Sequence, residues 1–433
     1  MDSVEHYQAF FKTGEGQLFP WLEALRAPAR ERFVAQGFPN PLEEGWRYTP
    51  LRSLERVRFT PAEAMSGVPS EPVDLELLKE AYSVVFVDGH YVAAASCLEG
   101  LPEEVQLKPL SLALRTPGED LQGLFEDTAA AASCHRLEDF NTALFSDGLC
   151  LDIQPNYRLE KPIVVLHLTQ QAQGLNTLQH RLRLAKGAQA HLIEVFIGPN
   201  DHPSLTTSMT YAVMDENASL RHVRLQREGK ASHHFSGLRL KLKRSARYQG
   251  HLASLGALWS RTEIHAQLGS SAECELEGLL LASGRQHQDV ETRLDHGGTH
   301  ASSRQNFRGI ANERGRGVFT GRIVVDPGAE KTDAGMSIRN LLLSGDAEID
   351  AKPQLEIHAD DVKCSHGVTV GQLDEEAVFT LQSRGIGEQE ARHMLTFAFA
   401  NELIERIDHE GARASVRDAF KATLPGSDLG SEL

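Results

Sequence analysis

Three observations predict a mainly β fold, a solenoid of strands with helical segments at both ends. From about Gly148 to about Gly371 the sequence consists of short β-like runs separated by Gly, Asn, Asp and Ser, with few helical stripes. Within that stretch a small or polar residue followed by Ala precedes a strand at Gly187-Ala188, Asn217-Ala218, Ser245-Ala246, Ser271-Ala272, His300-Ala301 and Asp346-Ala347. Those alanines lie 30, 28, 26, 29 and 46 residues apart, the last step being close to two shorter ones. A period in the twenties to thirties built of strands is that of a β-helix, although a β-sandwich shares the same alternation. Helical periodicity before and after the stretch divides the 433 residues into an N-terminal helical domain with a small β-hairpin (1–147), a β core (148–373) and a C-terminal helical domain (374–433).

In the N-terminal part Val4, Tyr7, Phe10 and Phe11 fall at helical spacing, and Leu22 with Leu25 begins a second apolar stripe. Pro28 interrupts that stripe, which resumes at Phe33 and stops at Gly37. Val84-Val85-Phe86-Val87, Asp88-Gly89 and Tyr91-Val92 together read as a hairpin with a tight turn. After the β core, Asp374, Glu375 and Glu376 place acidic groups at a helix start, Val378 and Leu381 continue it, and Gly385-Ile386-Gly387 ends it. A second helix is predicted from about Glu388 to Ile407. Between Met394 and Ala400 it is apolar nearly all round apart from Thr396, which predicts burial on more than one side. The helices would then either cap the end of the β core or dock a partner. Pro425-Gly426-Ser427-Asp428 reads as a frayed terminus.

Lys and Arg total 44 against 60 for Asp and Glu, a net charge of −16, so the chain lacks the basic footprint that nucleic acid requires. Met1-Asp2-Ser3-Val4-Glu5 leads into no long apolar run, and 18 consecutive apolar residues occur nowhere; a cytoplasmic protein without a membrane span is expected. Cys97, Cys134, Cys150, Cys274 and Cys364 are scattered, odd in number and without a CxxC pair, as reduced thiols would be. No GxxxxGK[ST] occurs and no GxGxxG follows a strand, so nucleotide binding by the chain itself is not predicted.

Chemistry concentrates between Lys352 and Gly371. Cys364 and His366 stand two apart in an alternating run and project from one face of a strand, with Cβ atoms ~6.5–7 Å apart. That suits two ligands reaching one iron or small cluster better than a nucleophile and base in contact. The plainer reading of a cysteine here is a small buried filler. As a ligand or nucleophile its thiol needs a metal or a nearby cation such as Lys363 to ionise at neutral pH. Glu356, His358 and Asp360 share the same parity, but Asp360-Asp361 reads as a turn that breaks it, leaving His358 as an accessory candidate. Asp295-His296 with His300 and Arg304, His287 with Asp289, and His233-His234 imitate acid–base sets, which polar ladders on a solenoid also produce.

Lys352-Pro353-Gln354-Leu355-Glu356-Ile357, then Asp360-Asp361-Val362-Lys363-Cys364-Ser365-His366-Gly367 with Thr369-Val370-Gly371, and Gln382-Ser383-Arg384-Gly385-Ile386 resemble the signature of the SufB/SufD family of iron–sulfur cluster assembly scaffolds. Gly37-Phe38-Pro39 with Glu44-Gly45-Trp46-Arg47-Tyr48-Thr49-Pro50-Leu51 resembles the family's N-terminal motif. Phe145-Ser146-Asp147-Gly148 with Leu159-Glu160-Lys161-Pro162-Ile163 resembles the start of its core. The SufB branch carries a cysteine shortly after an Arg-Asn dipeptide; here Arg339-Asn340 is followed by Leu341-Leu342-Leu343-Ser344, so the resemblance is to the SufD branch.

The resemblance implies a right-handed parallel β-helix flanked by helical domains, pairing with a SufB-like paralogue, and docking of a SufC-like ATPase on the C-terminal helices, with Arg384, Gly385, Met394, Phe397 and Phe399 as candidate contacts. It also implies a transient iron–sulfur cluster shared with the paralogue at Cys364 and His366, none tightly bound to this chain alone, and no catalysis by the chain. A paralogue-pairing surface would permit a homodimer of the isolated protein. Two rivals stand beside this reading: a β-helix enzyme acting on acidic polysaccharide through paired carboxylates, and a purely structural β-helix in which Cys364 is core filler.

Overall fold

The structure is a computed structural model and describes residues 3–11, 19–64, 75–115, 121–129, 136–198 and 202–424; Cys134 and the 425–428 segment lie outside the described residues. The helices are α1 (Ser3–Gln8), α2 (Pro20–Gln36), α3 (Arg52–Glu55), α4 (Leu75–Leu78), α5 (Leu110–Ala113), α6 (Leu121–Ala129), α7 (Arg136–Leu144), α8 (Glu375–Gln382), α9 (Glu388–Ile404) and α10 (Glu410–Thr423). The first ten strands are β1 (Thr60–Pro61), β2 (Tyr82–Val87), β3 (His90–Tyr91), β4 (Val105–Pro109), β5 (Leu149–Ile153), β6 (Ile163–Leu168), β7 (Gly174–Leu184), β8 (Gln189–Ile197), β9 (Leu205–Met214) and β10 (Ser219–Arg227). The second ten are β11 (His233–Leu242), β12 (Arg247–Ser254), β13 (Trp259–Leu268), β14 (Glu273–Ala282), β15 (His287–His296), β16 (Ser302–Ala311), β17 (Arg316–Val325), β18 (Asp333–Leu342), β19 (Glu348–Ile357) and β20 (Lys363–Gly371).

From β5 onward the chain alternates between two sheets, ordered β19-β17-β15-β13-β11-β9-β7-β5-β4 and β20-β18-β16-β14-β12-β10-β8-β6-β2-β3, with β1 added beside β7. From β7 on, each strand therefore stacks in parallel on the strand two before it, which is a parallel β-solenoid. Its first coils recruit residues from before position 148, since β2 pairs with β6 and β4 with β5. At that end both sheets finish on an antiparallel strand, β3 against β2 and β4 against β5. The β2–β3 hairpin turns at Asp88 (φ 50°) and Gly89 (φ 78°), the two left-handed residues that a tight two-residue hairpin requires.

The small-residue-then-Ala step is the corner of each coil. Gly187, Asn217, Ser245, Ser271 and His300 take φ of 70, 59, 56, 57 and 58°, a left-handed conformation that costs a non-glycine residue roughly 1–2 kcal/mol. In return each N–H points along the solenoid axis and bonds the next coil: Gly187 to the Glu216 carbonyl (2.8 Å), Asn217 to Arg244 (3.0 Å), Ser245 to Ser270 (2.9 Å), Ser271 to Thr299 (2.9 Å) and His300 to Glu330 (2.9 Å). The alanine that follows is fully buried every time. The 46-residue step has a different cause from the one expected. Lys331 (φ 61°) continues the ladder to the Asp361 carbonyl, and Thr332 takes the place of Ala, 31 residues after Ala301 (332 − 301). Threonine fits because its hydroxyl donates to the Ala329 carbonyl at 2.8 Å inside the corner. Asp346-Ala347 belongs to the opposite corner, between β18 and β19.

Two helical expectations are corrected. Pro28 does not interrupt α2, which runs through it and buries Leu22, Arg26, Ala29 and Phe33 on one face before Gly37 (φ 65°) ends it. Nor do α8–α10 cap the solenoid. The outer face of the even-numbered sheet carries Val223, Leu225, Ala253, Leu279, Leu281, Ile310 and Leu341, and this apolar row draws Ala400, Ile404, Ile407, Val416 and Phe420 of the C-terminal helices onto the flank instead. Thr396, the polar exception in the second helix, is buried with its hydroxyl on the Arg392 carbonyl (2.8 Å), whereas Met394, Leu395, Phe397 and Phe399 are only partly covered. Burial on more than one side is thus not completed within the chain.

Candidate functional site at the open end of the solenoid

With the helices on the flank, β19 and β20 are bare edges of the two sheets. Almost every residue of β20 is exposed, including Val368 and Val370 at 37 and 50 %, and Ile357 at the end of β19 is 42 % exposed. Register assigns the inward side. Ala334, Met336 and Ile338 of β18 belong to the lumen core, and they pair with Cys364, His366 and Val368 of β20. Cys364 and His366 therefore continue two neighbouring inward columns onto the last, uncovered rung, as the alternating run predicted.

The remaining parity candidates separate. Glu356 lies on the outer face of the other sheet, opposite Val324, and pairs with Arg322 at 3.3 Å. His358 is in the corner, its N–H bonding the Val325 carbonyl (2.9 Å). The turn predicted at Asp360-Asp361 is present, and Asp361 forms an ion pair with Lys331. Cys364 is half-buried against the lumen core. Burial pushes its thiol pKa up, a backbone hydrogen bond at Ala334 lowers it, and the Asp333 carboxylate raises it further. Lys363 is not among the groups that set it, so in the metal-free chain alone Cys364 is a protonated thiol. In a Cys97→Ser background, iodoacetamide labelling of Cys364 should have its pH midpoint above the usual thiol value of about 8.5; a midpoint near pH 7 would contradict this.

The candidate partner contacts sit elsewhere. Arg384 and Gly385 (φ 90°) are exposed in the α8–α9 turn. Met394 is partly covered, Phe397 packs near Phe420 (ring centroids 6.3 Å apart), and Phe399 lies beneath the Arg308 guanidinium at 4.8 Å. Sequence reading missed Phe379, 69 % exposed on α8, because an apolar residue on an amphipathic helix is ordinarily assigned to the inside.

The acid–base imitations resolve into unrelated contacts. Asp295 faces outward to His265 (2.6 Å) and Arg293 (2.8 Å), while His296 faces inward to Ser303 (2.9 Å). Arg304 pairs with Asp333 at 2.9 Å, and His234 with Glu228 at 2.7 Å. Asp289 accepts from the Thr49 hydroxyl at 2.6 Å, with His287 3.3 Å from the same oxygen. That last contact belongs to a strap. Residues 44–49 lie across the odd-numbered sheet with Trp46 beneath the Arg261 guanidinium (4.1 Å), the Gly45 carbonyl bonded to Arg261 (3.1 Å) and Glu44 on Lys352 of β19 (2.6 Å). The N-terminal motif is therefore a clamp on the solenoid wall.

A second cluster was invisible in the sequence. His167, His180 and Glu194 face one another inside the lumen with ligand atoms within 4.8 Å, all buried. The hydrogen bond that His180 accepts argues against a metal site. The Leu149 N–H donates to His180 Nδ1 (3.0 Å), which leaves the proton on Nε2, pointing at Glu194. His222 Nε2 lies 2.8 Å from the same carboxylate with the Tyr248 hydroxyl on its Nδ1, and Arg224 Nε is 2.9 Å away. Arg224 is the counter-ion and its neighbourhood holds the Glu194 pKa well below the ordinary range against the effect of burial, while burial depresses all three histidines. Glu194 is thus an ionised carboxylate paired with Arg224 and hydrogen-bonded to His222, with His167 and His180 at 3.5 and 3.6 Å.

Comparison with known proteins matches the family model described as SUF system FeS cluster assembly, SufBD core domain, over residues 167–399, and the SufBD protein N-terminal region over residues 1–165. The chain belongs to the SufBD family. Within it, this chain is 36% identical over 413 residues to the iron-sulfur cluster assembly protein SufD of Escherichia coli (strain K12), covering 93% of this chain and 94% of that one. It is 29% identical to the SufBD family protein slr0076 of Synechocystis sp. (85% and 84% covered) and 26% identical to the chloroplastic protein ABCI7 of Arabidopsis thaliana (93% and 86% covered). It is thus a SufD-type member of an iron–sulfur cluster assembly family. Among the described residues no helix is long and apolar enough to cross a membrane.

Proposed function

We propose that this SufBD protein is a non-catalytic scaffold subunit on which iron and sulfide, as cargo, are assembled into a cluster. The observation that carries this reading is the placement of Cys364 and His366 in adjacent inward columns of an edge strand that, among the described residues, pairs with β18 on one side and with no strand on the other. A SufB-like paralogue adding its strands to β19 and β20 would close the lumen and bring its own ligand beside His366. The cluster is then shared and transient, and this chain alone holds none tightly. Supporting a second partner, a SufC-like ATPase, is the uncovered surface of the α8–α9 hairpin around Phe379, Arg384, Gly385 and Met394, to which Phe397 and Phe399 contribute less. Without the paralogue the same open end would pair two copies of this chain. The net charge of −16 speaks against nucleic acid, and free Cys97, Cys274 and Cys364 fit the reducing cytoplasm.

Co-expression with SufB-like and SufC-like partners, followed by anaerobic iron and sulfide analysis of the purified complex, tests this. His366→Ala should leave the complex intact and empty it of cluster. Equal cluster content in both complexes would reduce the chain to a structural partner, and failure of the wild type to form a complex would refute the pairing itself.

A further inference from the structure

We infer that Arg308 is the positioning residue through which force applied to the α8–α9 hairpin enters the solenoid; this rests on the proposed docking of an ATPase at that hairpin. The hairpin is built as a lever. Arg392 bonds Glu375 of α8 (2.9 Å) and Glu388 of α9 (3.2 Å), tying the two helices into one body. Toward the tip, Val378 alone is buried in α8, and Ala391 and Thr396 alone in α9 before Ala400. The 17 residues of α9 make an arm of roughly 25 Å.

The root is fixed to three strands of the even-numbered sheet. Arg221 of β10 pairs with Asp408 (3.3 Å), Glu277 of β14 with Arg406 (2.8 Å), and Arg308 of β16 with Glu402. Arg221 and Asp408 are both half-exposed, at 53 and 60 %, and such a pair holds weakly in water, whereas the other two each have one largely buried member, Glu277 at 12 % and Arg308 at 6 %. Arg308 also donates to the Phe399 carbonyl and stacks on the Phe399 ring, so it grips backbone, carboxylate and aromatic face of α9 together. Arg339, its register partner on β18, acts on Glu402 as well and helps keep that carboxyl ionised.

Only β18 separates β16 from β20. Gln305, Met336 and His366 form one cross-strand row, and Arg308, Arg339 and Thr369 form another three residues further along the same strands. Torque on the hairpin tip is thereby delivered to the strand set that carries His366, through a side chain two strands away from His366 and outside the exposed tip around Phe379, Arg384 and Gly385.

The test uses the complete complex with the SufB-like and SufC-like partners. Arg308→Met keeps the aliphatic stem and removes the grip. The expected result is ATPase-subunit binding and ATP turnover within about threefold of wild type, unchanged cluster content after chemical reconstitution with iron and sulfide, and a fall of about tenfold or more in ATP-driven cluster formation per ATP hydrolysed. Arg308→Lys should recover part of the loss. If Arg308→Met does not fold, Glu402→Gln, at a half-exposed position, carries the test with the same expected direction. Wild-type coupling in the variant that folds overturns the inference while leaving the scaffold reading intact. Failure of the wild-type chain to bind the ATPase removes both.

Discussion

Acidification from pH 6.5 to pH 5 should cost the folded chain several kcal/mol, a large part of the stability of an ordinary domain. Burial lowers the pKa of His180 to about 3 and those of His191, His233 and His296 to about 4. Each is neutral in the fold and binds its proton only when the chain opens. The stability they contribute is therefore complete above the unfolded value of about 6.5 and falls by ~1.4 kcal/mol per pH unit per histidine below it. At pH 5 that is ~2 kcal/mol each and ~8 kcal/mol for the four. Glu291 works in the opposite sense. Burial lifts its pKa to about 7, so acid relieves it and offsets part of the loss, modestly because its side chain is 35 % exposed and paired with Arg261. His167, His222, His251 and His287 are depressed as well and add to the loss. Followed by near-ultraviolet circular dichroism at constant ionic strength, the acid transition should have its midpoint between about pH 5 and 6; a chain still native at about pH 4 would show that these imidazoles are not buried neutral.

The second large effect concerns Glu194. Replacing it with Leu removes the counter-ion of a guanidinium that is almost fully buried, and such a loss costs ~3–5 kcal/mol because the remaining charge has nowhere to go. Glu194→Leu combined with Arg224→Met removes both charges, and most of that cost should be recovered. The cycle is read by urea unfolding at pH 7.5. A single-variant loss below about 1 kcal/mol, or a double variant no better than the single, would mean that Arg224 is satisfied by some other group and that the carboxylate does not organise the lumen.

The solenoid could be read from the sequence because its corners are local: a left-handed small residue followed by a buried alanine are neighbours in the chain, and their period survives any error about strand ends. Where threonine replaced alanine at position 332 the period blurred, since an internally bonded hydroxyl is indistinguishable in sequence from an exposed one. That Cys364 and His366 share one face was legible for the same reason, since they are two residues apart on one strand. Glu194 is joined to His167, His222 and Arg224 through neighbouring strands of its sheet and to His180 across the lumen, and Trp46 to Arg261 across 215 positions (261 − 46), so no spacing announces either. The flank position of the C-terminal helices was missed because runs such as Leu279-Leu280-Leu281 look alike whether one face or both are covered.

The two ends of the rod differ in kind. Antiparallel β3 and β4 finish one end, while β19 and β20 leave the other unfinished. A rod with a single live terminus behaves like a chain-terminating monomer: the first partner that joins it end to end uses up the site at which another could join. On the proposed end-to-end pairing, association along the axis would stop at two, and the assembly would take a fixed stoichiometry from the shape of the rod itself.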